Sequence, residues 1–95
     1  MDIETSSNTV TIRGNIKTIG DYQDIKSTLG QVVENHNKVT LNIKDSISIT
    51  SSVIGYLNKL VLKDGIDISI LVGNEQLKEL FDELNLSSMF KVRKV

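Results

Sequence analysis

Three consecutive hydroxyls, Thr50-Ser51-Ser52, stand directly before an apolar stretch of helical spacing. They are the side chains of this sequence best placed to do chemistry. A Ser or Thr at a helix start accepts a hydrogen bond from a free backbone N–H, a capping role worth about 1 kcal/mol. Capping uses one hydroxyl of such a run, two at most, and does not require three. The remaining reactive side chains do not converge. The one histidine, His36, lies in the polar run Glu34-Asn35-His36-Asn37-Lys38. There it is expected at a helix end, interacting with the last carbonyls. Asp82 and Glu83 are adjacent, so on a helix they point to different sides and suit solvation better than paired acid–base work. With no cysteine and a single histidine, the scattered carboxylates offer no metal-ligand spacing. The glycines form neither G-x-G-x-x-G nor G-x-x-x-x-G-K-S/T, so phosphate-cradling loops of those kinds are absent. A hydrolase needs a nucleophile, a base and an orienting group brought together. No such set exists here, so the expectation is a binding protein, not an enzyme, with no cofactor.

The elements that must position the hydroxyl run follow from periodicity. Asp2 to Ser6 reads as a short opening strand that turns at Ser7-Asn8 into Thr9–Arg13, where Val10 and Ile12 alternate with Thr9, Thr11 and Arg13. Gly14-Asn15 then ends the second strand with turn chemistry. Asp21 is the expected N-cap of a first helix, whose stripe is Tyr22, Ile25, Leu29, Val32 and Val33 and whose end is expected near Asn35 to Asn37. Val39-Thr40-Leu41-Asn42-Ile43 alternates again. Ile47 and Ile49 follow, then the hydroxyl run and the stripe Val53, Ile54, Leu57, Leu60 and Val61, which Asp64-Gly65 stops. Ile66 to Val72 is the most apolar strand and is expected at the sheet centre. Asn74 caps a third helix with Leu77, Leu80, Phe81 and Leu84, and Phe90 to Val95 returns as a short strand. Strand and helix alternate three times after a hairpin, which predicts an α/β fold. Its sheet is mixed, an opening hairpin followed by parallel strands, with helices packed on it. Residues 1–95 form one domain, with no repeat or linker.

Composition narrows the partners. At 39% hydrophobic and 24% charged residues the chain carries enough apolar surface to build a core. Eleven basic and twelve acidic residues nearly cancel, and nucleic acid calls for clustered Lys and Arg, so it is not expected as a partner. Lys91, Arg93 and Lys94 alternate with Val92 and Val95 and read as a solvated strand edge. Tyr22, Tyr56, Phe81 and Phe90 are too dispersed for a base-stacking platform. No apolar run approaches the roughly 20 residues that span a bilayer, and Met1-Asp2-Ile3-Glu4 lacks a secretory pattern. A cytoplasmic protein without membrane insertion is expected.

The stretch from Val39 through Thr50-Ser51-Ser52-Val53-Ile54-Gly55 to Leu57 resembles the central strand, loop and helix start of the STAS family, the anti-anti-sigma factors and their relatives. There an apolar strand and a short loop lead to Asp-Ser-Ser-Gly-Leu-Gly at the head of a helix. The similarity continues through Lys63-Asp64-Gly65, the apolar strand to Val72, and Leu77 to Phe90; ahead of Val39 only the layout matches. The resemblance implies an anti-sigma factor antagonist, a phosphoprotein of signal transduction and transcription regulation. Its partners would be a serine kinase that doubles as an anti-sigma factor, of the histidine-kinase-like ATPase fold, and a PP2C-type phosphatase. By position the phosphorylated residue is Ser51, with Ser52 and Thr50 as alternatives. Docking would use Ser48, Thr50, Ser51, Ser52, Val53 and Ile54, with the loop from Asp45 to Ile49. Two positions depart from the pattern: Thr50 replaces the Asp, and Val53 replaces the first Gly, putting a branched side chain where a partner backbone would approach. The alternative implied is a STAS adaptor without a switch, a subunit of a transport or stress-signalling assembly.

Overall fold

The computed structural model describes residues 1–95. In chain order the elements are β1 (Asp2–Ser6), β2 (Thr9–Arg13), α1 (Ile19–Val33), β3 (Lys38–Ile43), α2 (Ser51–Leu62), β4 (Asp67–Val72), α3 (Glu75–Glu83) and β5 (Val92–Lys94). They build a five-stranded sheet in the order β1-β2-β3-β4-β5. β1 runs antiparallel to β2, and every later pairing is parallel. The expected α/β architecture, a hairpin followed by parallel strands, is what forms.

The strands β2, β3 and β4 alternate, and only one face of each is sealed. Val10 and Ile12, Val39, Leu41 and Ile43, Ile68, Ile70 and Val72, and Val92 are buried, whereas Thr9, Thr11, Thr40, Asn42, Ser69 and Leu71 between them are half-buried. Right-handed crossovers between strands in sequential order carry every helix to the same side of the sheet. That side is the sealed one. Ile25, Leu29 and Val32 of α1, Val53, Tyr56, Leu57 and Leu60 of α2, and Leu77 and Phe81 of α3 join the strand residues in one core cluster. Phe90 closes it, its ring standing edge-on to Phe81 at 6.2 Å. Truncating a fully buried residue such as Leu57 to Ala costs roughly 2–5 kcal/mol, because surrounding atoms only partly fill the void.

Three expectations are corrected. The central strand is β3, not the more apolar β4, because the β1–β2 hairpin adds two strands on one side and only the three residues of β5 lie beyond β4. The N-cap of α1 is Thr18. Its hydroxyl accepts from the Asp21 N–H at 3.0 Å, while the Asp21 carboxylate reaches back to the Thr18 N–H at 3.1 Å and the Lys17 N–H at 2.9 Å. This is a reciprocal capping box with the acid in the first turn instead of at its head. The far end of α1 stops at Val33 with Glu34 as C-cap, earlier than Asn35–Asn37, since the chain must already turn to enter β3 at Lys38. At the end of α2, Gly65 adopts φ +68°, which frees the Ile66 N–H to reach the Leu60 carbonyl at 2.9 Å. A side chain there would be strained.

Candidate functional site

The parallel strands β2, β3 and β4 all deliver their carboxyl ends to one edge of the sheet, where residues 14–18, 44–50 and 73–74 form the turns into the helices. Two of these turns are fastened to each other by side chains. The Gly14 N–H donates to Asp45 Oδ1 at 2.7 Å, and the Ile47 N–H donates to Asn15 Oδ1 at 3.1 Å. Between these bonds lies Ser46, fully buried. Its Oγ accepts from the Ile16 N–H at 3.1 Å and donates to the Ser48 carbonyl at 2.6 Å. Ser48 Oγ donates in turn to the Ile16 carbonyl at 3.3 Å. The third turn is pressed against the second at Gly73, whose N–H donates to the Ile43 carbonyl at 2.9 Å. A Cβ at Gly73 would overlap the Lys44 carbonyl oxygen, so only glycine permits this approach.

On this fastened frame the head of α2 is presented outward. Thr50 is the N-cap, in extended backbone conformation, and its hydroxyl accepts from the Val53 N–H at 3.3 Å. Ser51 and Ser52 occupy the first two helical positions, and both are exposed. Their own N–H groups have no acceptor in the chain, as expected of the first turn of a helix. That turn contains no acidic residue, so nothing offsets the partial positive charge of the helix end. An anion carried there meets free donors and a favourable dipole.

The other expected site residues are placed as follows. Ile54 is half-buried beside the serines, and Ser48 is half-buried with its hydroxyl engaged to Ile16. Val53 is fully buried and is corrected as a docking residue. It packs into the core, so its branched side chain does not stand in the way of an approaching backbone. Ser52 also borders a small cleft of about 90 Å³ between the heads of α1 and α2, together with Lys17, Thr18, Ile19, Tyr22 and Thr50. Two large apolar side chains at this edge are exposed: Ile19, at 77%, and Ile47, at 50%.

His36 is elsewhere. It sits half-buried past the end of α1, bordering a shallow polar depression with Asn8, Asn35, Asn37 and Lys38 at the opposite edge of the sheet. Because α1 ends at Val33, the imidazole makes no hydrogen bond to its last carbonyls, which corrects the expectation for it. Asp82 and Glu83 do not act together either. Asp82 is paired with Lys78 at 2.6 Å and accepts from the Ser87 hydroxyl, and these bonds hold its pKa below the ordinary value of 3.8. Asp67 is held low in the same way, by Lys91 at 2.7 Å. Tyr56, between α1 and α2, has its pKa raised by burial, and its hydroxyl donates to the Lys26 carbonyl at 3.4 Å. No group of His, Cys, Asp and Glu is arranged to hold a metal ion. No helix is long and apolar enough to cross a membrane.

Sequence reasoning did not single out Asn15, Lys17 or Ser46. The available signal was the density of short polar side chains, Asp45, Ser46 and Ser48, in a loop between a strand and a helix, where such residues bond to backbone. No protein-family model matches this sequence, and no curated protein matches it.

Proposed function

We propose that this chain is a protein-binding regulatory module that docks through the head of α2 and is switched off by phosphorylation of Ser51. The observation that carries the reading is the exposure of the Ser51 side chain at the first position of a helix whose opening turn has no acid. Exposed Ile19 and Ile47 at the same edge supply apolar surface that a partner would cover. A phosphate adds about −1.5 to −2 charges. At Ser51 it is welcome to the helix itself and hostile to an apolar partner surface, which would have to bury the added charge. The resemblance around Thr50-Ser51-Ser52 names the partners within this proposal: a serine kinase and anti-sigma factor of the histidine-kinase-like ATPase fold, opposed by a PP2C-type phosphatase, in the cytoplasm. Val53, turned into the core, leaves the approach to the serines open despite the departure from the family glycine.

The second reading is a constant adaptor with no switch. It is favoured by Thr50, which caps the helix and brings no carboxylate next to Ser51. The two readings part in one experiment. The chain is incubated with ATP and the kinase that co-purifies with it, the phosphate is mapped by mass spectrometry, and binding of Ser51→Ala and Ser51→Asp is compared. Ser51→Ala should bind and Ser51→Asp should not. Equal binding by both removes the switch.

A further inference from the structure

We propose that the groove between α3 and the β3–α2 loop receives a basic amphipathic helix of the partner protein, an inference that rests on the docking reading above and adds the partner's chemistry. The groove has a volume of about 590 Å³. Along one wall Gln76, Glu79, Leu80 and Glu83 of α3 recur at three- and four-residue spacing, so they form a single stripe. Ile47 and Ser48 of the loop, with Lys17, form the other wall. Ile47 is 50% exposed and Leu80 is half-buried, so each wall offers the groove one apolar side chain.

Its charge is unbalanced. Glu79 and Glu83 stand one turn apart, a like-charge spacing that weakens a helix, and neither has an ion-pair partner in the chain. Lys78, the cation on α3, is spent on Asp82. Glu83 also lies in the last turn of α3, which has no basic residue. There the negative end of the helix dipole opposes it. Lys17 across the groove offers one positive charge against two carboxylates. The surface is complementary to Lys or Arg side chains one turn apart, flanking a Leu or Ile that seats on Ile47 and Leu80. That spacing belongs to one face of a helix laid along α3. An acidic segment would meet two unpaired carboxylates, and a wholly apolar one would leave them desolvated.

The test uses a synthetic Ala-rich helical peptide of ~18 residues with Arg and Leu on one stripe, titrated into ¹⁵N-labelled protein. Amide shifts should concentrate on Ile47, Ser48 and the α3 residues, and affinity should fall as salt is raised. Glu79→Gln/Glu83→Gln should weaken binding, and Glu79→Lys/Glu83→Lys should weaken it roughly tenfold or more. Both pairs are exposed and leave the fold intact, as dispersed spectra will show. Equal binding of a peptide with Glu in place of Arg, unchanged binding by the charge-reversed variant, or shifts centred on another face would overturn the groove. A parallel arm with the co-purified kinase keeps this proposal separate from the switch. Binding lost by Ser51→Asp but kept by the charge-reversed variant removes the groove and leaves the switch. The opposite pattern keeps the groove and removes the switch.

Discussion

Replacing Ser46 by alanine deletes one oxygen from the junction of two loops and leaves its partners stranded. Ile16 is 1% exposed, and its N–H has Ser46 Oγ as acceptor at 3.1 Å. A buried donor left without a partner costs roughly 1–3 kcal/mol. The Ser48 carbonyl loses its 2.6 Å donor, but Ser48 is half-buried and water can take over that bond at little cost. The expected loss is therefore about 2 kcal/mol, set mainly by Ile16. In a domain of this length that lowers the melting temperature by about 10 °C. Ser48→Ala is the matched control. Its hydroxyl donates to the Ile16 carbonyl at a longer 3.3 Å, and a carbonyl retains a second lone pair, so under ~1 kcal/mol is expected. Urea and thermal unfolding followed by circular dichroism measure both variants, and hydrogen exchange reads the Ile16 amide directly. If Ser46→Ala loses no more than Ser48→Ala while the Ile16 amide stays protected, the reasoning that this hydroxyl fastens the loops is refuted.

Other outcomes follow from the same geometry. Thr50→Ala should cost about 1 kcal/mol in urea unfolding through loss of the cap on Val53, whereas Thr50→Asp should retain or slightly raise stability, since α2 begins with no acid. Gly73→Ala should cost about 2–3 kcal/mol, because its Cβ meets the Lys44 carbonyl and must push the loop carrying Ile47 outward; a melt like that of the parent chain would contradict this. Acid should destabilise the fold. The N–H groups of Lys17 and Thr18 hold the pKa of Asp21 below 3.8, so the unfolded chain binds its proton more readily. The contribution is present above the ordinary carboxylate value and is lost as pH falls through the lower folded value. Melting temperatures recorded from about pH 5 down to pH 2 should drop less steeply for Asp21→Asn than for the parent chain; identical slopes would remove Asp21 from the account.

Local chemistry made much of this fold readable. Val10 and Ile12 and Val39 to Ile43 alternate with polar residues because their sheet is sealed on one face only, and that alternation is a property of each strand alone; β4 alternates in burial, but Leu71 on its open face makes the pattern less plain in the sequence. Asn74 was readable as a cap for the same reason: its Oδ1 meets the N–H groups of Gln76 and Leu77 two and three residues on. Thr18 was readable too: Thr18-Ile19-Gly20-Asp21 has the spacing of a capping box, which gives the cap to the hydroxyl and the first turn to the acid. Residue type alone, which favours Asp21, misses this. The loop fastening at Asn15, Asp45 and Ser46 was hidden, being made of contacts between segments and not within them. In the hydroxyl run, periodicity assigned Val53 to the apolar stripe of its helix, and the burial follows that stripe. The family pattern, which places a glycine there, pointed the other way.

A sheet whose strands lie in chain order has no point where the order reverses, and open α/β sheets bind ligands in the crevice at such a point. Here the carboxyl edge is built of loops fastened to one another by side-chain hydrogen bonds. Preorganised loops spare an association the cost of freezing them. They also constrain how a modification at Ser51 would act on the proposed switch. The backbone of Ser51 is already helical and its N–H is free, so a negative charge there has no segment to melt and a dipole to satisfy. Ser51→Asp should leave stability unchanged or raise it by a few tenths of a kcal/mol, which lifts the melting temperature by roughly 1–3 °C, while partner binding is lost. A fall of several degrees, matching the fall in binding, would mean that the charge works by unravelling α2, and the surface-charge account of the switch would fail.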